Sequence, residues 1–371
     1  MLELQRVKNS WYKLALLTVI PLGSFGLIVT IFSSGVVHNL PICVVDQEHS
    51  SLSRTLLFHL ESSPTLHVAY RCDDVTSAIK LLQDAKVYGV IIIPHNFTST
   101  IMKHQNPQVV AMLNTQYLLV GKILKAAILE SVMGSAAEVE FVQNLSHTPA
   151  LQEAKAQLMP ISLEVYPLFN KEKNYFIFLV SAILPAMWQI FLVMSVVVSF
   201  GSLFKRKDEH RFYNKEHLFS QIFGQLFVYT LAYMLMGVAI LFYLYGVRGW
   251  EFHGSMAVMV VALFVTTLAY EAMALTFFVL SFDYARALSL GAVYTAPAFA
   301  FLGITFPADS MNSFALFWRD MLPISHYMQV QIDQANYALG VGESLQELSS
   351  VLFLTLFFIP VLWRFKQRLG V

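Results

Sequence analysis

Few residues in this chain of 371 have the types and spacing that chemistry requires. Asp46, Glu48 and His49 follow LPICVVD, a strand-like run, at the place where α/β folds hold ligands. No glycine-rich phosphate loop, nucleophile elbow or metal-ligand spacing accompanies them, and capping of a helix from Ser50 accounts for an acidic, Ser-rich turn. Gly121-Lys122 is not a phosphate loop, because Gln116 stands where the first glycine belongs. Glu271 and His326 form a third candidate set, for acid–base work within a membrane. No second carboxylate, HExxH or Ser/Lys pairing completes it. No catalytic residue, metal ligand or resident cofactor is therefore assigned. Cys43 and Cys72 are the two cysteines. Neighbouring parallel strands on an oxidising side would let them bridge, and two buried thiols are the alternative.

The elements around these residues are mostly apolar. Of the chain, 56% is apolar, with 30 Phe and 15 Met, and 13% is charged, which excludes a water-solvated globular surface and marks an integral membrane protein. The 24 basic and 24 acidic residues cancel, leaving no electrostatic footprint for nucleic acid. A helix needs about 20 apolar residues to cross a bilayer. Spans are predicted at 14–37, 175–204, 218–246, 255–281, 287–306 and 344–365. The first is too long for a signal-peptide core and no A-x-A site follows it, so it reads as an uncleaved anchor.

Orientation follows from Lys and Arg, which short cytoplasmic loops retain. With the N-terminus inside, twelve fall on short inside segments, while the short outside segments hold Arg248 and Arg319. Both termini, including the tail 366–371, are then cytoplasmic. So is the loop 205–217, which packs five Lys/Arg, three Asp/Glu and two His between two spans.

The segment 38–174 reads as an extracytoplasmic α/β domain inserted between spans one and two. Strand-like LPICVVD, TLHVAY, VYGVIIIP and QVVAML alternate with helical SSLSRTLLFHLES, DDVTSAIKLLQDA and FTSTIMKH, and a long helix is predicted over 117–158. The fold class is thus an α-helical polytopic membrane protein with six transmembrane helices plus that domain.

Polar residues inside spans are expensive. Glu271 lies deep in span four, where it serves either a substrate or proton role or a helix–helix hydrogen bond. Gln189, Gln221 and Gln225 suit interhelical hydrogen bonds, with Gln189 and Gln225 as candidate pathway groups. Pro185 and Pro297 predict kinks. Within the outer segment 307–343, Met311, Phe314, Ala315, Phe317 and Trp318 make an apolar helical face at the membrane interface. Phe314, Trp318 and His326 are candidate outer-gate residues, capping an exit or anchoring the interface.

Three stretches carry a resemblance: LPICVVDQEHSSLSRTLLFHLESSP (40–64), YTAPAFAFLGITFP (294–307) and LPISHYMQ (322–329). With the topology, they make the chain similar to the membrane subunits of type-2 ABC exporters, in the subgroup with a large extracytoplasmic domain after the first span. The resemblance implies a permease dimer, of two copies or with a paralogue, driven by a separate cytoplasmic ABC ATPase that holds ATP and Mg. It implies a basic amphipathic helix on the inner surface over 1–13, and a coupling helix in 205–217 that seats in the ATPase. Arg206, Glu209, Arg211, Lys215 and Glu216 are the coupling candidates. Arg211-Phe212 depart from the Gly-Thr that relatives carry there, which leaves the contact register open. A periplasmic membrane-fusion adaptor, membrane lipid and the bacterial inner membrane complete the expected setting, with no nucleic acid. The competing reading is a membrane-anchored receptor or scaffold. No residue specifies a cargo.

Overall fold

The computed structural model describes residues 2–33, 35, 37–103, 105, 107–116, 118–147, 169–170, 174–205, 212–213 and 215–368. The chain forms two compact units, Val36–Tyr166 and the remainder, Met1–Gly35 with Pro167–Val371. It opens with three helices of the larger unit, α1 (Leu2–Lys8), α2 (Trp11–Leu17) and α3 (Val19–Ile31).

The smaller unit holds β1 (Leu40–Asp46), α4 (Ser51–Ser62), β2 (Leu66–Arg71), α5 (Val75–Gln83), β3 (Gly89–Ile93), α6 (Phe97–Met102), β4 (Val110–Leu113) and α7 (Leu118–His147). The sheet order is β2-β1-β3-β4, with β1 parallel to both neighbours and β4 antiparallel at the edge. Because side chains alternate across a strand, Ile42 and Val44 join Leu56, Leu60, Leu124 and Ile128 on one side, while Cys43 and Val45 join Ala78, Val87 and Val90 on the other. A central strand covered on both faces reads as a continuous apolar run, which is why LPICVVD does not alternate. Ser50 and Asp74 cap α4 and α5, each accepting a backbone N–H at 3.0 Å. The long helix expected over 117–158 is described as far as His147.

The larger unit continues with α8 (Tyr175–Lys205), α9 (Leu218–Leu241), α10 (Met256–Ser281), α11 (Tyr284–Thr295), α12 (Ala298–Phe301), α13 (Ser313–Asp320), α14 (Pro323–Ile332), α15 (Val341–Thr355) and α16 (Phe358–Arg368). Among the described residues, five helical stretches are long and apolar enough to cross a membrane: Trp11–Ile31, Phe176–Lys205, Leu218–Val247, Met256–Ser281 and Val341–Arg368. The protein is a helical multi-pass membrane protein. Helix α10 buries residues all round, including Leu263, Tyr270, Ala274 and Phe278, so it is the centre of the bundle. The Trp188 indole donates to the Tyr233 carbonyl at 2.9 Å, and Ser195 bonds the Tyr233 hydroxyl at 2.7 Å, fastening α8 to α9.

The stretch expected to be a span at 287–306 is divided into α11 and α12. Pro297 has no N–H to continue the ladder, and the chain bends there before a left-handed Gly303 (φ +85°). At the other predicted kink, α8 runs through Pro185 without interruption.

Candidate functional site

Polar groups buried in an apolar unit must find partners or cost several kcal/mol each. One group of those in the larger unit gathers at the end of the bundle where the charged stretch joins α8 to α9. Helix α1 turns Glu3 and Val7 inward one helical turn apart, leaving them 3% and 2% exposed. The Glu3 carboxylate accepts from Ser199 Oγ of α8 at 2.7 Å and from the Tyr229 hydroxyl of α9 at 2.9 Å. Arg6 Nη1 lies 2.7 Å and the buried Lys13 Nζ 3.6 Å from the same carboxylate. Two cations and two hydroxyl donors thus satisfy one buried anion.

The network continues into the charged stretch. Gln225 Nε2 donates to Ser199 Oγ at 2.6 Å, and Gln225 Oε1 accepts from the Tyr213 hydroxyl at 2.6 Å. Tyr213 is itself buried, its ring stacked on Phe200 and edge-on to Phe365. The Arg6 guanidinium lies 4.9 Å over the Phe212 ring, a cation–π contact that adds a second tie between α1 and the stretch. Phe212-Tyr213 are therefore in contact with α8, α9 and α1 together.

Of the residues expected to couple, Arg206, Glu209 and Arg211 lie outside the described residues. Lys215 and Glu216 belong to the short 3-10 turn Lys215–His217 that precedes α9, with Glu216 exposed. Gln225, expected to make an interhelical hydrogen bond or to line a pathway, joins α9 to α8 through Ser199 within the Glu3 network. Glu3, Lys13, Ser199, Tyr213 and Tyr229 were missed by sequence reasoning. The available signal was the four-residue spacing of Glu3 and Val7, which puts an acid on the apolar face of an otherwise basic helix.

The other intramembrane candidates stand apart. Glu271 is 1% exposed and accepts from Thr230 Oγ1 at 2.8 Å, joining α10 to α9, while its Oε2 has no partner. Gln189 Nε2 donates to the Thr295 carbonyl at 3.3 Å, satisfying the end of α11 where Pro297 interrupts the ladder. His326 is engaged by Glu347 Oε1 at Nδ1 (2.6 Å) and by the Asp320 carbonyl at Nε2 (3.1 Å). Its partner is thus Glu347 rather than Glu271.

In the outer segment, Asn312 caps α13 by accepting from the Ala315 N–H at 2.9 Å. Phe314 is exposed, whereas Trp318 packs edge-on to Tyr294. Arg319, counted above among the cations of the short outside segments, turns inward. Its Nη1 donates to the Phe301 carbonyl at 3.0 Å and its Nη2 to Gln329 Oε1 at 3.3 Å, satisfying the end of α12. Burial lowers the Arg319 pKa from its usual value, opposed by the nearby Glu347, Asp320 and Asp309 carboxylates.

In the smaller unit, the turn after β1 is occupied with its own bonds. Asp46 accepts from the Glu48 and His49 N–H groups and from Ser53 Oγ at 2.7 Å, while Glu48 accepts from Thr98 N and Oγ1. For both carboxylates desolvation acts upward, but these donors together hold the pKa below its ordinary value. The sulfurs of Cys43 and Cys72 lie at bonding distance, with Cα atoms 6.5 Å apart.

Residues 13–364 match the family model described as ABC-2 family transporter protein. No curated protein and no solved structure matches the chain.

Proposed function

For a chain that belongs to the ABC-2 family of transporter proteins, and so forms the permease subunit of an ABC transporter, we propose a role in ATP-driven export. Cargo moves outward across the bacterial inner membrane, powered by ATP hydrolysis with Mg on a separate cytoplasmic ATPase chain. The permease body is a dimer of two copies, or of this chain with a paralogue. The chain crosses the membrane six times, α11 and α12 making the fifth crossing as a broken helix, with both termini cytoplasmic. On this reading the smaller unit is extracytoplasmic and available to a periplasmic membrane-fusion adaptor.

The observation that carries the reading is the chain of bonds Tyr213–Gln225–Ser199–Glu3. A coupling loop must hand a push to the spans, and a loop whose end is bonded to two spans and to the N-terminal helix is built to do that. Arg206, Glu209, Arg211, Lys215 and Glu216 then face the ATPase, and the network behind them receives the motion. Glu271 and Gln189 hold helices together within the bundle, and Phe314, Trp318 and His326 form the outer end.

Affinity purification in mild detergent tests this directly. The expected result is a stoichiometric ATPase chain that co-purifies and hydrolyses ATP, and that is lost on reversing charge at Arg206 and Glu209 together. A folded chain that emerges alone and inert overturns the reading in favour of a receptor or scaffold.

A further inference from the structure

At the end of α8 and α9 opposite the charged stretch, the larger unit contains a cavity of about 540 Å³, within the range of small-molecule sites. Two irregular helical turns shape it. The backbone of Phe242–Val247 is π-helical, with Arg248 N–H reaching the Tyr243 carbonyl at 2.9 Å, and so is that of Asp333–Tyr337. Such widened turns cost hydrogen-bond regularity and recur where a helix must present side chains to a ligand. Here the first brings Tyr245 into the lining and the second Asn336. Gly249, at φ +65°, reverses the chain so that Trp250 follows, held edge-on by Phe176 and Tyr245.

The lining has a definite chemistry. Trp250, Tyr245, Phe178 and Met328 supply an apolar, largely aromatic wall. The polar side is built of carboxamides, chiefly Gln331, Asn174 and Asn336. Gln331 is 3% exposed; its Nε2 makes a long 3.4 Å bond to the Ser181 carbonyl, and its Oε1 has no hydrogen-bond partner although the Tyr245 hydroxyl faces the amide. A buried acceptor left unpaired costs about 1–3 kcal/mol, which a ligand donor would recover. Among the described lining residues formal charge is balanced, since one Arg and one Glu, Arg248 and Glu251, are both exposed at the rim.

We infer that this cavity binds an uncharged amphiphile with a hydroxyl-bearing head, the head donating to Gln331 and Asn336 and the apolar body lying against Trp250 and Phe178. The inference rests on the permease reading only for which side of the membrane the cavity opens on; binding itself does not depend on it. The ligand is either a neutral bilayer lipid or a soluble cargo of the same chemistry.

Trp250 serves as the reporter. The full chain in nanodiscs is titrated with three probes of identical brominated acyl chain and different head: a monoacylglycerol, a fatty-acid anion and an alkyl trimethylammonium. A bromoalkyl glucoside added from water below its micellar concentration forms the fourth arm. Quenching is read as the difference between the chain and its Trp250→Phe variant. The expected result is saturable quenching by the neutral heads, at least fivefold tighter than by either charged head, and weakened at least tenfold by Gln331→Leu. Saturation by the membrane-loaded probe alone identifies a bilayer lipid as the source, and saturation by the glucoside identifies a soluble cargo. Unsaturable quenching, equal quenching by all heads, or indifference to Gln331→Leu in a chain of unchanged thermal midpoint overturns the inference. ATPase co-purification is scored separately, so failure here leaves the permease reading standing, and the reverse.

Discussion

The Tyr213 hydroxyl donates to Gln225 Oε1 at 2.6 Å, with both side chains buried, so the charged stretch is bonded into the bundle at Tyr213. Tyr213→Phe keeps the ring stacked on Phe200 and removes only the hydroxyl, leaving the Gln225 acceptor unpaired. A loss of about 1–3 kcal/mol of stability is expected from the orphaned acceptor. If the bond transmits motion, ATPase activity still co-purifies but its stimulation by the permease falls severalfold. Unchanged stimulation alongside a lowered thermal midpoint would make the bond purely structural.

Glu3 is the point where four helices meet, α1 and α2 with their cations Arg6 and Lys13, and α8 and α9 with their hydroxyls. Glu3→Gln retains acceptors for Ser199 and Tyr229 but removes the negative charge facing Lys13, which is 5% exposed. Removing one member of a buried pair costs about 3–5 kcal/mol, so the single variant should unfold well below the parent. Lys13→Met combined with Glu3→Gln should recover part of that loss, because the two opposite buried charges are then removed together. Additive losses in that double-mutant cycle would show that the two residues do not interact.

The Glu271 carboxylate bridges α10 to α9 through Thr230. Glu271→Gln keeps an acceptor at the same reach, and Glu271→Ala leaves a void and cuts the tie to Thr230, whose hydroxyl retains only the Leu226 carbonyl of its own helix at 3.1 Å. Gln should retain most transport-coupled ATPase activity while Ala loses it along with stability. Equal and complete loss in both variants, with folding intact, would instead assign the carboxylate a charge or proton role.

His326 gives the outer segment a pH dependence of known sign. Burial disfavours the imidazolium, but the Glu347 carboxylate and the Asp320 carbonyl hold its pKa above the ordinary value. A raised folded-state pKa contributes stability that is complete below the unfolded value of about 6.5 and is lost as pH climbs through the folded one. The thermal midpoint should therefore fall as pH rises from about 6.5, and His326→Gln should flatten that slope. A slope unchanged in His326→Gln assigns it to another group.

How much of this was legible follows from what each residue depends on. Strand β1 was readable because a centrally buried strand writes itself as a local apolar run, and α10 because an apolar helix of its length has few other places to go. Glu3 was not, since its partners Ser199 and Tyr229 are 196 and 226 residues away and no local pattern encodes them. The division of α11 from α12 was half visible: Pro297 marked a bend, but hydropathy counts apolar residues and is blind to the lost backbone bond. Arg319 followed the same blindness, because its inward turn answers the Phe301 carbonyl at the end of α12, a short helix that hydropathy does not mark off. The π-helical turns around the cavity leave no trace in residue type at all.

The Cys43–Cys72 contact tests the side of the membrane on which the smaller unit stands. The bond closes a loop with a sequence separation of 29, for which chain entropy gives a stabilisation of about 3–4 kcal/mol. Thiols on the cytoplasmic side stay reduced, whereas an extracytoplasmic unit oxidises. Cells quenched with acid and alkylated before lysis should therefore yield a chain whose two cysteines are protected until reductant is added. The Cys43→Ser and Cys72→Ser double variant should lose stability in the smaller unit while ATPase co-purification persists, because the network around Glu3 belongs to the other unit. Full alkylation without reductant would place the smaller unit in a reducing compartment and overturn the proposed orientation together with the adaptor role.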